Sequence, residues 1–146
     1  MMQESIDPNW IGTGSEEDEI YKENILDHYK NPRNFGRIES CQLKHREFNP
    51  VCGDDITLFV KFEGNLVKEV KFCGNGCAIS IAAASMLSEK IKGMDLNKLS
   101  SITEEDILEM IGIKLGVVRI KCGILCLKTL FNGIKKIEAG NEQTKN

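Results

Sequence analysis

The sequence predicts an α+β domain: a small antiparallel sheet with helices packed against it. Ile56, Leu58, Val60 and Phe62 alternate with Thr57, Phe59 and Lys61, the period-two pattern of a strand. Glu63-Gly64-Asn65 makes a hairpin loop, and Leu66 to Phe72 return as the partner strand, with Leu66, Val70 and Phe72 on one face. Ala78 to Ile91 is helical by content (Ala82, Ala83, Ala84, Met86, Leu87), and a last helix is expected from about Val118 to Lys136.

The remaining elements follow in order. Residues 1–18 are polar, with Pro8, Gly12 and Gly14 before the acidic run Glu16-Glu17-Asp18-Glu19, and are expected to form a flexible tail that adds negative charge to the start of the first helix. Ile20, Ile25, Leu26 and Tyr29 recur at helical spacing, which predicts an amphipathic helix over residues 19–30. Asn31-Pro32 ends it, because the proline ring restricts the residue before it, and Gly36 supplies a turn. A first strand is expected over residues 42–49. Gly93 closes the alanine-rich helix, and Thr103-Glu104-Glu105-Asp106 reads as the start of another over 104–111. The folded domain is expected to span residues 19–137, with a second flexible tail over 138–146.

Bulk properties exclude several function classes. A chain of 146 residues can bury a core without disulfide staples. Its net charge of −3 argues against nucleic-acid binding, which needs clustered cations to replace phosphate counterions. No apolar run approaches the roughly 20 residues of a membrane span, and the amino terminus lacks the basic-then-apolar layout of a signal peptide. The expected location is the cytoplasm. In a reducing compartment, six cysteines more often mean metal binding or thiol chemistry than disulfides.

Three of them lie at predicted element junctions: Cys52 in the turn before a strand, Cys77 at a helix start, Cys122 early in the last helix. Gly74-Asn75-Gly76 allows a sharp turn that sets Cys77 near unpaired helix amides, a field that favours the thiolate. Lys121 can act on Cys122 in the same way if its side chain turns inward. Thiolates suit zinc, ferrous iron or an iron–sulfur cluster. Asp54, two residues after Cys52, adds a hard oxygen donor that holds soft iron less tightly and hints at a labile site. No Cys-x-x-Cys occurs, so spacing alone leaves other readings open. Cys126 lies one turn after Cys122 but reads as core beside Leu125 and Leu130. Cys73 reads as a bystander at a strand end and Cys41 as incidental. His28 and His45 are expected to be solvated.

Four segments then carry a resemblance: Tyr21 to Gly36 (YKENILDHYKNPRNFG), Asn49-Pro50-Val51-Cys52-Gly53-Asp54, Gly74-Asn75-Gly76-Cys77-Ala78-Ile79-Ser80 and Arg119-Ile120-Lys121-Cys122. Together, over residues 20–136, they resemble the U-type iron–sulfur assembly scaffolds: IscU, SufU and the amino-terminal domain of NifU. The resemblance implies a three-stranded sheet flanked by helices, with the metal site at one exposed end. It implies Cys52, Asp54, Cys77 and Cys122 as ligands, and Cys122 or Cys52 as persulfide acceptor, as in the IscU and SufU branches respectively. The implied cargo is a [2Fe–2S] cluster or Fe2+, with Zn2+ as the alternative occupant of the same site. The implied partners are a cysteine desulfurase and recipient apo-proteins or cluster carriers. The expected assembly is a monomer when empty, able to pair as a homodimer when loaded.

The branch is mixed. Lys121 stands where IscU proteins carry histidine, as in SufU, and Leu115-Gly116-Val117-Val118-Arg119 replaces the chaperone-recruiting Leu-Pro-Pro-Val-Lys segment. The 44 residues between Cys77 and Cys122, however, are too few for the usual SufU insertion. The leading expectation is a cluster scaffold. Its rival is a zinc-bound sulfur carrier that activates the desulfurase.

Overall fold

The structure, a computed structural model, describes residues 16–144, with side chains through Gly140. Its elements run α1 (Glu16–Lys30), β1 (Leu43–Asn49), β2 (Asp54–Glu63), β3 (Leu66–Asn75), α2 (Ala78–Ile91), α3 (Leu96–Ser100), α4 (Glu104–Ile111) and α5 (Val117–Thr144). The sheet is three-stranded and antiparallel throughout, in the order β1-β2-β3, as expected. Its inward face, with Leu43, Ile56, Leu58, Val60, Val70 and Phe72, packs beneath α2 and α5.

Local chemistry accounts for most boundaries. Asn49 pairs with Asp54 across a tight hairpin whose tip is Pro50-Val51-Cys52-Gly53; the Gly53 amide donates to the Asn49 carbonyl at 2.8 Å. Thr103 and Asp106 form a reciprocal capping box at the start of α4, with bonds of 3.1 and 2.9 Å. α4 ends at Gly112 in the left-handed region (φ 89°), where a Cβ would lie only 2.1 Å from the Tyr21 ring of α1. Only glycine satisfies both demands there.

The structure departs from the sequence reading in several places. Helix α1 begins at Glu16, so residues 16–18 are helical, while residues 1–15 of the expected tail lie outside the described residues. The last helix continues through residues 138–144, which the sequence reading assigned to a tail. The short α3, capped by Asp95, was not expected. On α1, Ile25 and Leu26 are buried, but Ile20 and Tyr29 face outward; Tyr21 packs inward instead. Phe59, on the outer face of β2, is also buried, with Arg37 and Lys44 over its ring at 5.4 and 5.9 Å.

Neither histidine is solvated. His28 is buried, and its Nδ1 lies 2.7 Å from the Ser85 hydroxyl, which also accepts the Arg33 amide at 2.8 Å. With Asn34 donating to Ser88 at 3.0 Å, these bonds tie the end of α1 and the Asn31-Pro32-Arg33-Asn34 turn onto α2. His45 is partly buried, with Nε2 2.6 Å from Glu47, whose same oxygen accepts from Asn132 at 2.8 Å. That network fastens β1 to α5. The polar side of an element faced another element in both cases, and periodicity cannot distinguish that from water.

Among the described residues, no helix is long and apolar enough to cross a membrane.

Candidate metal centre

Three junctions meet at one end of the sheet: the β1–β2 hairpin tip, the start of α2 and the first turns of α5. The hairpin supplies Cys52 and Asp54. Gly53, at φ 76°, lets the chain re-enter β2 immediately, so Asp54 points inward at 1% exposure while Cys52 stays half-buried.

Asp54 is fixed by the start of α2. Its Oδ1 accepts the Cys77 amide at 2.9 Å, and its Oδ2 lies 3.8 Å from Cys77 Sγ. Cys77 is the N-cap of α2 but makes no side-chain capping bond, which leaves its sulfur available. The Ser80 hydroxyl donates to the Cys77 carbonyl at 3.1 Å and lies 3.9 Å from Cys77 Sγ. Gly76 makes the close approach feasible. A Cβ there would lie 2.4 Å from Ser80 Oγ and 2.9 Å from Asp54 Oδ1.

Cys122 reaches the same point from α5. Its Sγ is 3.1 Å from Cys52 Sγ, both thiols being free, and the donor atoms of Cys52, Asp54 and Cys122 all lie within 4.8 Å of one another. The structure thus gathers Cys52, Asp54 and Cys122, whereas Cys77 adjoins Asp54 but its sulfur stands outside that mutual 4.8 Å group. A tetrahedral ion bound to sulfur at about 2.3 Å sets its donors roughly 3.7 Å apart. The 3.1 Å Cys52–Cys122 and 3.8 Å Asp54–Cys77 separations lie close to that distance, so Cys52, Asp54 and Cys122 suit three positions around a metal, and Cys77 would have to swing inward to supply a fourth.

The electrostatics differ from expectation. Lys121 is exposed and borders a groove beside Phe48 and Pro50 instead of turning inward. The cation at Cys122 is Arg119, whose Nη1 lies 3.8 Å from the sulfur. Residues three apart share a helix face whereas adjacent ones do not, which is the signal that could have singled it out. The Cys122 thiol is pushed far up from its ordinary value, first by burial, then by hydrogen bonds with Asp54 and Cys52 and by the negative field of Cys77 and Asp54. Without metal, Cys122 therefore holds its proton, and a metal must displace it.

The other three cysteines stay apart. Cys126 faces the core and is pushed up to about 12 by burial. Cys73 lies within β3, with Arg37 Nη1 3.8 Å from its sulfur, and the Cys41 thiol donates to the Leu43 carbonyl at 3.2 Å. Ser80, Gly76 and Arg119, which shape the site, were visible to sequence reasoning only inside longer motifs.

The NifU-like N-terminal domain family matches residues 20–144. The zinc-dependent sulfurtransferase SufU of Bacillus subtilis is 38% identical over 141 residues, covering 85% of this chain and 95% of its own. An iron–sulfur cluster assembly scaffold protein IscU of Thermotoga maritima is 37% identical over 135 residues, covering 81% and 94%. Among solved structures, the SUF-system scaffold FiSufU of Fervidobacterium islandicum superposes with a TM-score of 0.67 at 30% identity, covering 79% of this chain and 96% of that one. Matching in sequence, topology and the full extent of the domain, the chain belongs to the NifU-like N-terminal domain family.

Proposed function

We propose that this protein is a cytoplasmic scaffold on which sulfur from a cysteine desulfurase and ferrous iron are assembled into a [2Fe–2S] cluster and passed to apo-proteins or cluster carriers. The observation that carries the reading is the donor set: two thiols and one preorganised carboxylate converge beneath the hairpin tip, with the Cys77 thiol next to that carboxylate. Cys52, Asp54, Cys77 and Cys122 are the assigned ligands.

Accessibility suggests the order of sulfur handling. Cys122 is 0% exposed, whereas Cys52 stands on a hairpin tip. An incoming persulfide meets Cys52 first: its thiolate attacks the outer sulfur, the S–S bond to the desulfurase breaks, and the desulfurase cysteine leaves as thiolate. Cys122, 3.1 Å away and donating to Cys52, can repeat the exchange: its sulfur attacks the outer sulfur, the Cys52 S–S bond breaks, and the Cys122 proton passes to the departing Cys52 sulfur. Each sulfane sulfur then needs two electrons to become sulfide, supplied by ferrous iron together with an external reductant. Arg119 stabilises the anionic sulfur on Cys122. Asp54 supplies a weaker bond than a fourth thiolate would, which keeps the product transferable. The empty protein is expected to be monomeric and able to pair when loaded.

A second reading is favoured by one observation. The half-exposed Cys52 suits a sulfur carrier with a resident zinc at the same four ligands, in keeping with the zinc-dependent sulfurtransferase named for the Bacillus relative. In that case zinc orders the thiols, and persulfide stays on Cys52 until a recipient takes it.

Purification without oxygen, followed by incubation with desulfurase, cysteine and ferrous iron, separates the two. About two irons per site with charge-transfer absorption, transferable to an apo-ferredoxin, supports the scaffold. One tightly held zinc, no cluster and faster desulfurase turnover supports the carrier. Asp54→Ala should lengthen the lifetime of a reconstituted cluster; an unchanged or shorter lifetime removes the proposed role of Asp54.

A further inference from the structure

The outward face of α5 carries an open heptad seam. Val117, Lys121, Ile124, Lys128, Phe131 and Lys135 follow one another at alternating steps of four and three residues. That spacing keeps side chains on one stripe of a helix and, in coiled coils, on the stripe facing a partner helix. One heptad position is apolar in each repeat and the other is always lysine. Val117 is 79% exposed, Ile124 and Phe131 are half-buried, and the three lysines are exposed.

Three adjoining grooves follow the stripe. The first, of 170 Å³, has Lys121, Ile124 and Lys128 on one side and Phe48 and Pro50 on the other. The second, of 210 Å³, runs past Ile124, Lys128, Phe131 and Lys135, and the third, of 270 Å³, past Phe131 and Lys135. Lys121 and Lys135 make no ion pair among the described residues. Lys128 reaches only Glu47, at 4.0 Å, a carboxylate already bonded to His45 and Asn132. Glu104 and Glu138 border the second and third grooves, so the positive charge is least offset at the Lys121 end, beside Cys122.

We propose that this seam docks an acidic amphipathic helix of a partner protein. Its apolar side chains fill the grooves beside Ile124 and Phe131 and cover the exposed Val117, and its carboxylates meet Lys121, Lys128 and Lys135. Charge complementarity selects that occupant. A second copy of this chain would set lysine against lysine in a parallel pairing, or press each lysine onto an apolar side chain in an antiparallel one. The stripe from Val117 to Lys135 is about 27 Å long at 1.5 Å per residue, room for a partner helix of five turns. It starts in the first turn of α5, so a docked helix ends beside Cys122. The inference holds whatever the thiol site carries.

The test uses the full chain and two fluorescein-labelled designed helical peptides of about 21 residues, with leucine at one heptad position and either glutamate or lysine at the other. Fluorescence anisotropy should show the glutamate peptide binding the native chain, less tightly as salt is raised, and at least tenfold more weakly to Lys121→Glu/Lys128→Glu/Lys135→Glu. The lysine peptide should show the reverse preference. A thermal melt checks that the variant is folded, and Lys121→Glu alone, expected to lose about threefold, provides a milder change. Equal binding of both peptides overturns the proposal, as does charge reversal that leaves the affinity unchanged. So does a dimer in sedimentation that the reversal dissolves, which would make the occupant a second copy, or binding to phosphatidylserine vesicles with none to the glutamate peptide.

Discussion

Helix α2 covers one polar cluster at its middle and another at its start, and the two differ in what their atoms face. At the middle, His28, Ser85, Ser88, Arg33 and Asn34 bond to one another at 2.6 to 3.4 Å. At the start, Asp54 is held by a backbone amide, Cys52 and Cys122 meet only through their sulfurs at 3.1 Å, and the remaining sulfur contacts, to Asp54, Ser80 and Arg119, are 3.8 to 3.9 Å long. The first cluster closes on itself and contributes stability. The second leaves the donor atoms of Cys52, Asp54 and Cys122 within 4.8 Å of one another with few strong bonds of their own, which is what a ligand-binding cluster requires. Burial alone does not separate them: Cys126 is as buried as Cys122, one turn away, yet faces only core.

Damage to the two clusters should therefore read out in different measurements. The largest effect is expected from Cys122→Ser. Zinc binding to a four-ligand site of this type is worth about 10–16 kcal/mol, so losing one thiolate should weaken it by roughly 3 kcal/mol, a hundredfold or more. The melting temperature of the metal-free protein should move by only about 2 °C. Competition against a chromogenic chelator measures the first quantity and calorimetry the second; an intact zinc affinity would remove Cys122 from the ligand set.

Ser85→Ala should do the opposite. It strands the Arg33 amide and one His28 nitrogen in the interior, at a cost of about 1–3 kcal/mol. Melting should drop by roughly 3–10 °C with zinc affinity unchanged. If zinc affinity fell in step with stability, the two clusters would be one cooperative unit.

A smaller effect concerns pH. Burial, then the nearby Arg33 charge, lowers the His28 pKa, against opposing pulls from Glu89 and Asp27. As pH falls below about 6.5, the unfolded chain takes up a proton that the folded chain refuses, so stability present above that pH is lost towards the lowered value. Carboxylates such as Asp27 and Glu47, themselves lowered, contribute only from their own lower range. Denaturant midpoints between pH 7 and 5 should therefore fall, and His28→Gln should flatten that slope. A slope that survives the substitution would assign the sensitivity elsewhere.

Much of this architecture was legible because its causes are local. The alternation in β2, the glycine hairpin before β3, the alanine-rich α2 and the capping box at Thr103 each sit within a few residues of the structure they produce. The convergence of Cys52, Asp54 and Cys122 was legible for another reason: the motifs that carry them recur in order with family spacing, although no short Cys-x-x-Cys marks a site. What escaped was long-range. His28 and Ser85 are 57 positions apart, and neither suggests the other. Tyr21 is drawn inward by Gly112, and Ile20 is left outside, because α4 packs where the helical pattern alone allowed several faces.

The sequence by itself determined the element types, the antiparallel sheet, the three junctions that bear cysteine and the donor chemistry of soft sulfur with one oxygen. These depend on backbone preferences and side-chain identities, which each residue carries with it. The tertiary structure alone decided that Arg119, not Lys121, stands against Cys122, that Cys52 is open while Cys122 is closed, and that the α5 lysines line an exposed seam. Those outcomes depend on which helix face meets which neighbour, and packing settles that only when the whole core has formed.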